Sequence, residues 1–214
     1  MNDPNAIPVA RGAPRGSVGQ RAAHESAEKH VSGTANYIDD MLAPANTLHA
    51  YVGLSTIARG RITAIDLAKV REAPGVVDVL TRDDIPGHRD IGPVFPGDPL
   101  LIAAGDEIEF HGQVLFSVAA ESYEEARRAA QLAQVSYEEL PAILTIEQGL
   151  EAESFVRPPH TQQRGDLSAG FENAAHCLEG RLQIGGQEQM YLEGQVSLCV
   201  PEEDGGMLVY SSTQ

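Results

Sequence analysis

The residues best suited to chemistry lie in one run, Ile184-Gly185-Gly186-Gln187-Glu188-Gln189-Met190-Tyr191-Leu192-Glu193. Two adjacent glycines closing an alternating segment permit a bulge, or a backbone conformation closed to other residues, and without a Cβ they let main chain come close to a ligand. Gln187 then offers a carboxamide, donor and acceptor together, to whatever lies beside it. From the residues alone the pattern reads either as a structural bend or as a ligand approach.

Other chemistry-bearing residues lack the spacing their chemistry needs. His24-Glu25 followed by His30 invites comparison with the HExxH zinc pattern, but six residues at about 100° each leave the two imidazoles roughly 120° apart around a helix. No metal ligand is assigned there. His49, His88, His111, His160 and His176 are scattered, and solvated or hydrogen-bonded imidazole is the better reading. Asp106, Glu107, Glu109 and the Glu138-Glu139 pair fall on the wet face of alternating segments with no nucleophile or metal beside them. Ser55, Ser117 and Ser136 lie outside any GxSxG elbow. No residue of the chain is assigned as catalytic.

The elements that must position the Gly-Gly-Gln run can be read from periodicity. Leu48 to Ser55 and Arg61 to Leu67 alternate and read as paired strands, with Asp66 capping a short helix that Pro74-Gly75 ends. Val76 to Leu80 resumes as a strand. Thr81 to His111 carries Pro86, Gly87, Gly92, Pro93, Pro96, Gly97, Pro99 and Gly105 and reads as a long, functional or docked excursion. Gln113 to Ala120 is the most apolar strand, and Ser122-Tyr123-Glu124-Glu125 is a capping box that opens a helix over Tyr123 to Leu132. Gln134 to Glu139 is a further strand, and the element order without a strict βα repeat favours an α+β fold.

A polar, proline-marked stretch over 157–165 separates two parts, with 1–20 as a flexible lead-in before them. Asp166 caps a helix through Ala174, Leu178, Leu182 and Ile184 face one way along a strand, and Gln195 to Val200 turns through Asp204-Gly205-Gly206 into Met207 to Ser212. Strands so few need more sheet to stand in water.

Composition narrows the partners. The chain has 214 residues, 42% of them hydrophobic, enough for an ordinary core. A formal net charge of −16 repels phosphate backbones and anionic headgroups, so neither nucleic acid nor a membrane is an expected partner. Cys177 and Cys199 have no CxxC partner and sit in alternating patterns, where a buried apolar filler is the commoner role and one disulfide the alternative. With no secretory apolar region and no spanning-length stretch, the cytoplasm is the expected location.

A wider set of residues carries a resemblance. His24-Glu25-Ser26-Ala27, His30-Val31-Ser32-Gly33, Ala35-Asn36-Tyr37-Ile38-Asp39-Asp40, Gly60-Arg61-Ile62, Ala73-Pro74-Gly75-Val76, Gly112-Gln113-Val114, Ala126-Arg127-Arg128-Ala129-Ala130 and Tyr137-Glu138-Glu139-Leu140-Pro141 together look like the hammerhead α/β domain that opens the large subunit of xanthine dehydrogenases. Asp90-Ile91-Gly92-Pro93-Val94 fits the purine-oxidising branch. The resemblance implies a hammerhead domain over 21–156, a linker over 157–165, and the first strands of a molybdopterin-binding domain, truncated, from Asp166 to Gln214. It implies that Gly186 and Gln187 contact a molybdopterin-type molybdenum cofactor, Gln189-Met190 standing where the family commonly has His-Phe. It further implies oxidative hydroxylation of hypoxanthine or xanthine, a partner subunit with 2Fe-2S clusters and FAD that passes electrons to NAD, and a catalytic base and substrate-binding residues beyond Gln214. On that pattern this chain alone is inactive, and a non-catalytic scaffold contacting the iron-sulfur and flavin subunits through its Pro/Gly loop is the alternative.

Overall fold

The computed structural model describes Gly19 and residues 23–213; the lead-in assigned to 1–20 lies, Gly19 apart, outside the described residues. Contacts divide the chain into a larger unit, Ala45–Gly185, and a smaller one that joins the described residues up to Pro44 with those from Gly186 onward.

The larger unit is built on two antiparallel sheets. In the first, β5 (Val114–Ala120) lies between β1 (His49–Leu54) and β3 (Val76–Leu80). β5 takes the centre because it is the most apolar strand: Leu115, Phe116, Val118 and Ala120 are all buried, so both of its edges and much of both faces must be covered. In the second, β2 (Gly60–Asp66) lies between β4 (Glu107–Ile108) and β6 (Gln134–Glu139). The two strands expected to pair with each other therefore belong to different sheets. The link between them makes no hairpin turn; the Ser55 amide instead donates to Gln113 O at 2.9 Å, which keeps β1 on the β5 side.

Short helices close the sheets. α2 (Ala68–Arg71) follows β2, with Asp66 Oδ1 accepting from Ala68 N at 2.9 Å. It ends at Arg71, and the chain then reverses into β3 at Gly75, whose φ of +76° suits glycine. α3 (Tyr123–Ala130) packs Ala126, Ala129 and Ala130 inward, two residues shorter than its sequence pattern suggests. Its cap is a variant of the expected box: Ser122 Oγ accepts from Glu125 N at 3.3 Å and donates to Glu125 Oε2 at 2.7 Å. The core gathers Ile62, Val70, Val79, Ile102, Ile108, Leu115, Phe116 and Val118 with those alanines. Burying each large member contributes about 1.5–3 kcal/mol.

The long excursion after β3 is tied down rather than loose. It opens with a 3₁₀ turn, Arg82–Asp84, whose Thr81 and Asp84 cap each other, and ends in β4, paired to β2 at Gly60 and Arg61. Arg82 pairs with Asp106, whose carboxylate also accepts from Ala103 N at 2.8 Å. α4 (Ile146–Glu151), unforeseen in the periodicity, has a full capping box between Thr145 and Gln148. α5 (Leu167–Glu172) is capped by Asp166 through Ala169 N at 3.0 Å and stops two residues before Ala174.

The smaller unit holds α1 (Ala27–Ser32), a 3₁₀ turn at Ile38–Asp40, and the hairpin of β7 (Ser197–Pro201) and β8 (Met207–Ser211). The hairpin register runs from Ser197 opposite Ser211 to Pro201 opposite Met207, turning through Gly205 at φ +81°. Every residue of β8 is exposed.

Candidate functional site

The Gly-Gly-Gln run does not end a strand. Residues 178–192 have no regular secondary structure and all are exposed: Leu178, Leu182 and Ile184, expected to face a core, are 100%, 82% and 77% accessible. Without neighbouring strands to complete a sheet, alternation alone cannot hold a strand in water. Cys177 and Cys199, expected as buried fillers, are both exposed and free. Cys177 lies in the adjoining non-regular segment, and Cys199 lies on the exposed face of β7, opposite the part-buried Leu198 and Val200.

The glycines differ from expectation in conformation as well. Neither Gly185 nor Gly186 has positive φ, so their backbones are open to any residue. What glycine provides here is room: a Cβ at either position would meet nothing within 4 Å. The left-handed residue of the loop is Met190, at φ 48°, where a side chain carries a conformational cost of order 1 kcal/mol. This falls within the Gln189-Met190 pair that departs from the resembled pattern.

Gln187 and the amides of Gly185, Gly186 and Gln187 have no hydrogen-bond partner among the described residues. Glu188 turns back on its own loop, accepting from Gln189 N at 3.1 Å. The far end is fixed. Glu193 Oε1 accepts from Ile38 N at 2.9 Å, and Ser212 Oγ donates to Gly194 O at 2.7 Å while accepting from Val196 N at 3.0 Å. A neutral carboxamide and free main-chain amides on an unobstructed backbone suit an anionic, oxygen-bearing group.

The other candidates are engaged elsewhere. His24 Nδ1 accepts from Ser26 N at 3.1 Å, and His30 Nδ1 lies 3.0 Å from the Tyr37 hydroxyl. No group of three or more His, Cys, Asp or Glu side chains is placed to hold a metal among the described residues. Glu107 pairs with Arg59 at 3.1 Å, and Asp106 with Arg82. Ser55 is buried as a latch: its Oγ accepts from Gly112 N and Gln113 N, both at 3.0 Å, and donates to Phe110 O at 3.2 Å. Two further residues, visible in the sequence only as members of longer runs, make contacts that reading by runs does not assign. Asp90 accepts from the amides of Gly92, Gly97 and Asp98 at 2.9, 2.7 and 3.2 Å, and these bonds, that from Gly92 foremost, hold its carboxyl below the usual carboxylate range. The Asp-x-Gly spacing of an Asx turn is the signal for it. Glu193, the other, has no local signature.

The described chain thus combines an α+β unit of two small antiparallel sheets with a glycine-paired carboxamide loop and a hairpin. Residues 32–141 match the family model described as the α/β hammerhead domain of aldehyde oxidase and xanthine dehydrogenase, and 151–214 match the molybdopterin cofactor-binding domain. The chain therefore belongs to the aldehyde oxidase and xanthine dehydrogenase family of molybdenum hydroxylases. It is 38% identical over 199 residues to xanthine dehydrogenase/oxidase of Gallus gallus, covering 92% of this chain and 14% of that one. It is 36% identical to aldehyde oxidase 4 of Rattus norvegicus, again over 92% of this chain and 14% of the relative. The structure aligns with the aldehyde oxidoreductase of Desulfovibrio gigas at a TM-score of 0.71 and 27% identity, over 88% of this chain and 23% of that one. The chain thus spans about one seventh of the length of such curated relatives. No helix among the described residues is long and apolar enough to cross a membrane.

Proposed function

We propose that this chain supplies the hammerhead domain, 21–156, and the opening of the molybdopterin domain, 166–214, to a molybdenum hydroxylase that oxidises hypoxanthine or xanthine in the cytoplasm. One observation carries the reading. Within a segment matched to the cofactor-binding family, Gln187 presents a carboxamide with no hydrogen-bond partner among the described residues, behind two glycines that leave main chain clear. Gly186 would let the backbone approach, and Gln187 would donate from Nε2 and accept at Oε1. When bound, the cofactor would supply two-electron oxidation with insertion of an oxygen atom, while the protein orients it.

The purine preference rests on Asp90-Ile91-Gly92-Pro93-Val94, the turn whose shape Asp90 fixes with three amide bonds. Relatives of nearly equal identity are named for xanthine and for aldehydes, so the substrate must be measured directly. Electrons would leave through 2Fe-2S clusters and FAD on a partner to NAD. The test is NAD reduction by the fully assembled native enzyme with hypoxanthine, xanthine and an aromatic aldehyde. Purine turnover is expected; turnover of the aldehyde alone would overturn the purine assignment and leave the family untouched.

A further inference from the structure

Between Gly170 and Gln195 every residue is exposed except one, and that one is a carboxylate, Glu193. Its Oε1 accepts the Ile38 amide at 2.9 Å across a separation of 155 residues, within the smaller unit. The donor is itself held. Ile38 opens the 3₁₀ turn at Ile38–Asp40, which Asp40 caps by accepting from Tyr37 N at 3.0 Å, and the Tyr37 hydroxyl meets His30 Nδ1 of α1. Six positions separate Gln187 from Glu193, so the exposed loop has its far end pinned to this N-terminal clamp. No other side chain of residues 186–193 reaches a distant described residue.

A charged side chain becomes part-buried only where a bond repays its desolvation, and a carboxylate on a main-chain amide is such a bond. We propose that Glu193 is a positioning residue: by accepting the Ile38 amide it fixes the Gln187 loop for the cofactor. The inference rests on the cofactor reading of Gln187, but the contact can be judged separately from it.

The chain offers a clean deletion of the donor. Ile38 is the first position of its turn and Tyr37 before it is extended, at φ −101° and ψ 168°, so proline fits both constraints while removing the N–H. In the native assembly, Glu193→Ala should raise exchange of the Ile38 amide about tenfold or more, as loss of a charge-assisted bond implies. Ile38→Pro, like Glu193→Ala, should speed chymotrypsin cleavage after Tyr191 or Leu192 and lower molybdenum content several-fold, with the double variant no worse than either single. Glu193→Gln, which keeps an acceptor oxygen, and Ile38→Ala, which keeps the amide, should behave as wild type. Unchanged exchange, cleavage and molybdenum in Glu193→Ala, or a Glu193→Gln variant as impaired as Glu193→Ala, would overturn the proposal. A wild-type assembly without molybdenum would overturn the cofactor reading and the positioning role with it, while Ile38 exchange would still decide the contact.

Discussion

Gly53 and Phe116 occupy one space. A Cβ on Gly53 would come within 2.1 Å of the ring, so the Phe116 side chain can occupy its place beside β1 only because Gly53, its pairing partner, is bare backbone. Gly53→Ala should cost about 1–3 kcal/mol as overpacking, read as a lower denaturation midpoint, and Phe116→Leu in the same chain should recover part of it. A neutral Gly53→Ala would mean the ring is free to move. Asp90 makes a different kind of prediction. Its folded pKa is depressed, so the bonds it accepts stabilise the turn above the ordinary carboxylate range and are lost as pH falls from that range through the lower folded value. Amide protection of Gly92, Gly97 and Asp98 should therefore decline together on acidification, and Asp90→Asn should show weaker protection that no longer responds to pH over that range. Protection that falls equally in Asp90→Asn would assign the effect to another group.

At the scale of elements, what could be read in advance was what is written locally. The Ser-x-x-Glu box before α3, the Asp166 cap before α5 and the Asp204-Gly205-Gly206 turn each act within four residues, and each is where the sequence places it. Ser122→Ala should cost about 1 kcal/mol, measured by thermal or denaturant unfolding, because it strips the cap from the helix that seals both β1 and β5. A loss of only a tenth of that would show Glu125 to be a sufficient cap. Strand partners were not legible: β1 and β2 alternate alike, and their assignment to separate sheets is decided by long-range pairing with β5 and β6. The Thr145-x-x-Gln148 box was legible and passed over, since an apolar stripe too short to count follows it. Alternation over 178–184 misled for the opposite reason. Alternation holds a strand only where neighbouring strands complete a sheet, and no described residue supplies one there.

At the scale of the molecule, apolar exposure is uneven. The central strand β5 buries Leu115, Phe116 and Val118, whereas Leu144, Ile146, Val156, Leu178, Leu182, Ile184, Met190 and Leu192 are largely open, as is the whole of β8. Exposed apolar surface on that scale is the mark of an interaction surface. In this chain by itself, the amides of Phe116 and Val118 should exchange slowest and those of β7 and β8 fastest; slow exchange in the hairpin would contradict an uncovered state. The candidate site shares this division. Gly186 and Gln187 stand out by residue type and by the family resemblance, whereas the anchor at Glu193 is visible only in a contact spanning most of the chain. The central claim is most directly tested by the molybdenum and pterin content of the native assembly, measured for wild type and Gln187→Ala by elemental analysis and pterin fluorescence. Stoichiometric molybdenum in wild type and a several-fold loss in Gln187→Ala, with circular dichroism unchanged, is expected; wild type devoid of molybdenum, or a Gln187→Ala variant that retains all of it, would contradict the claim.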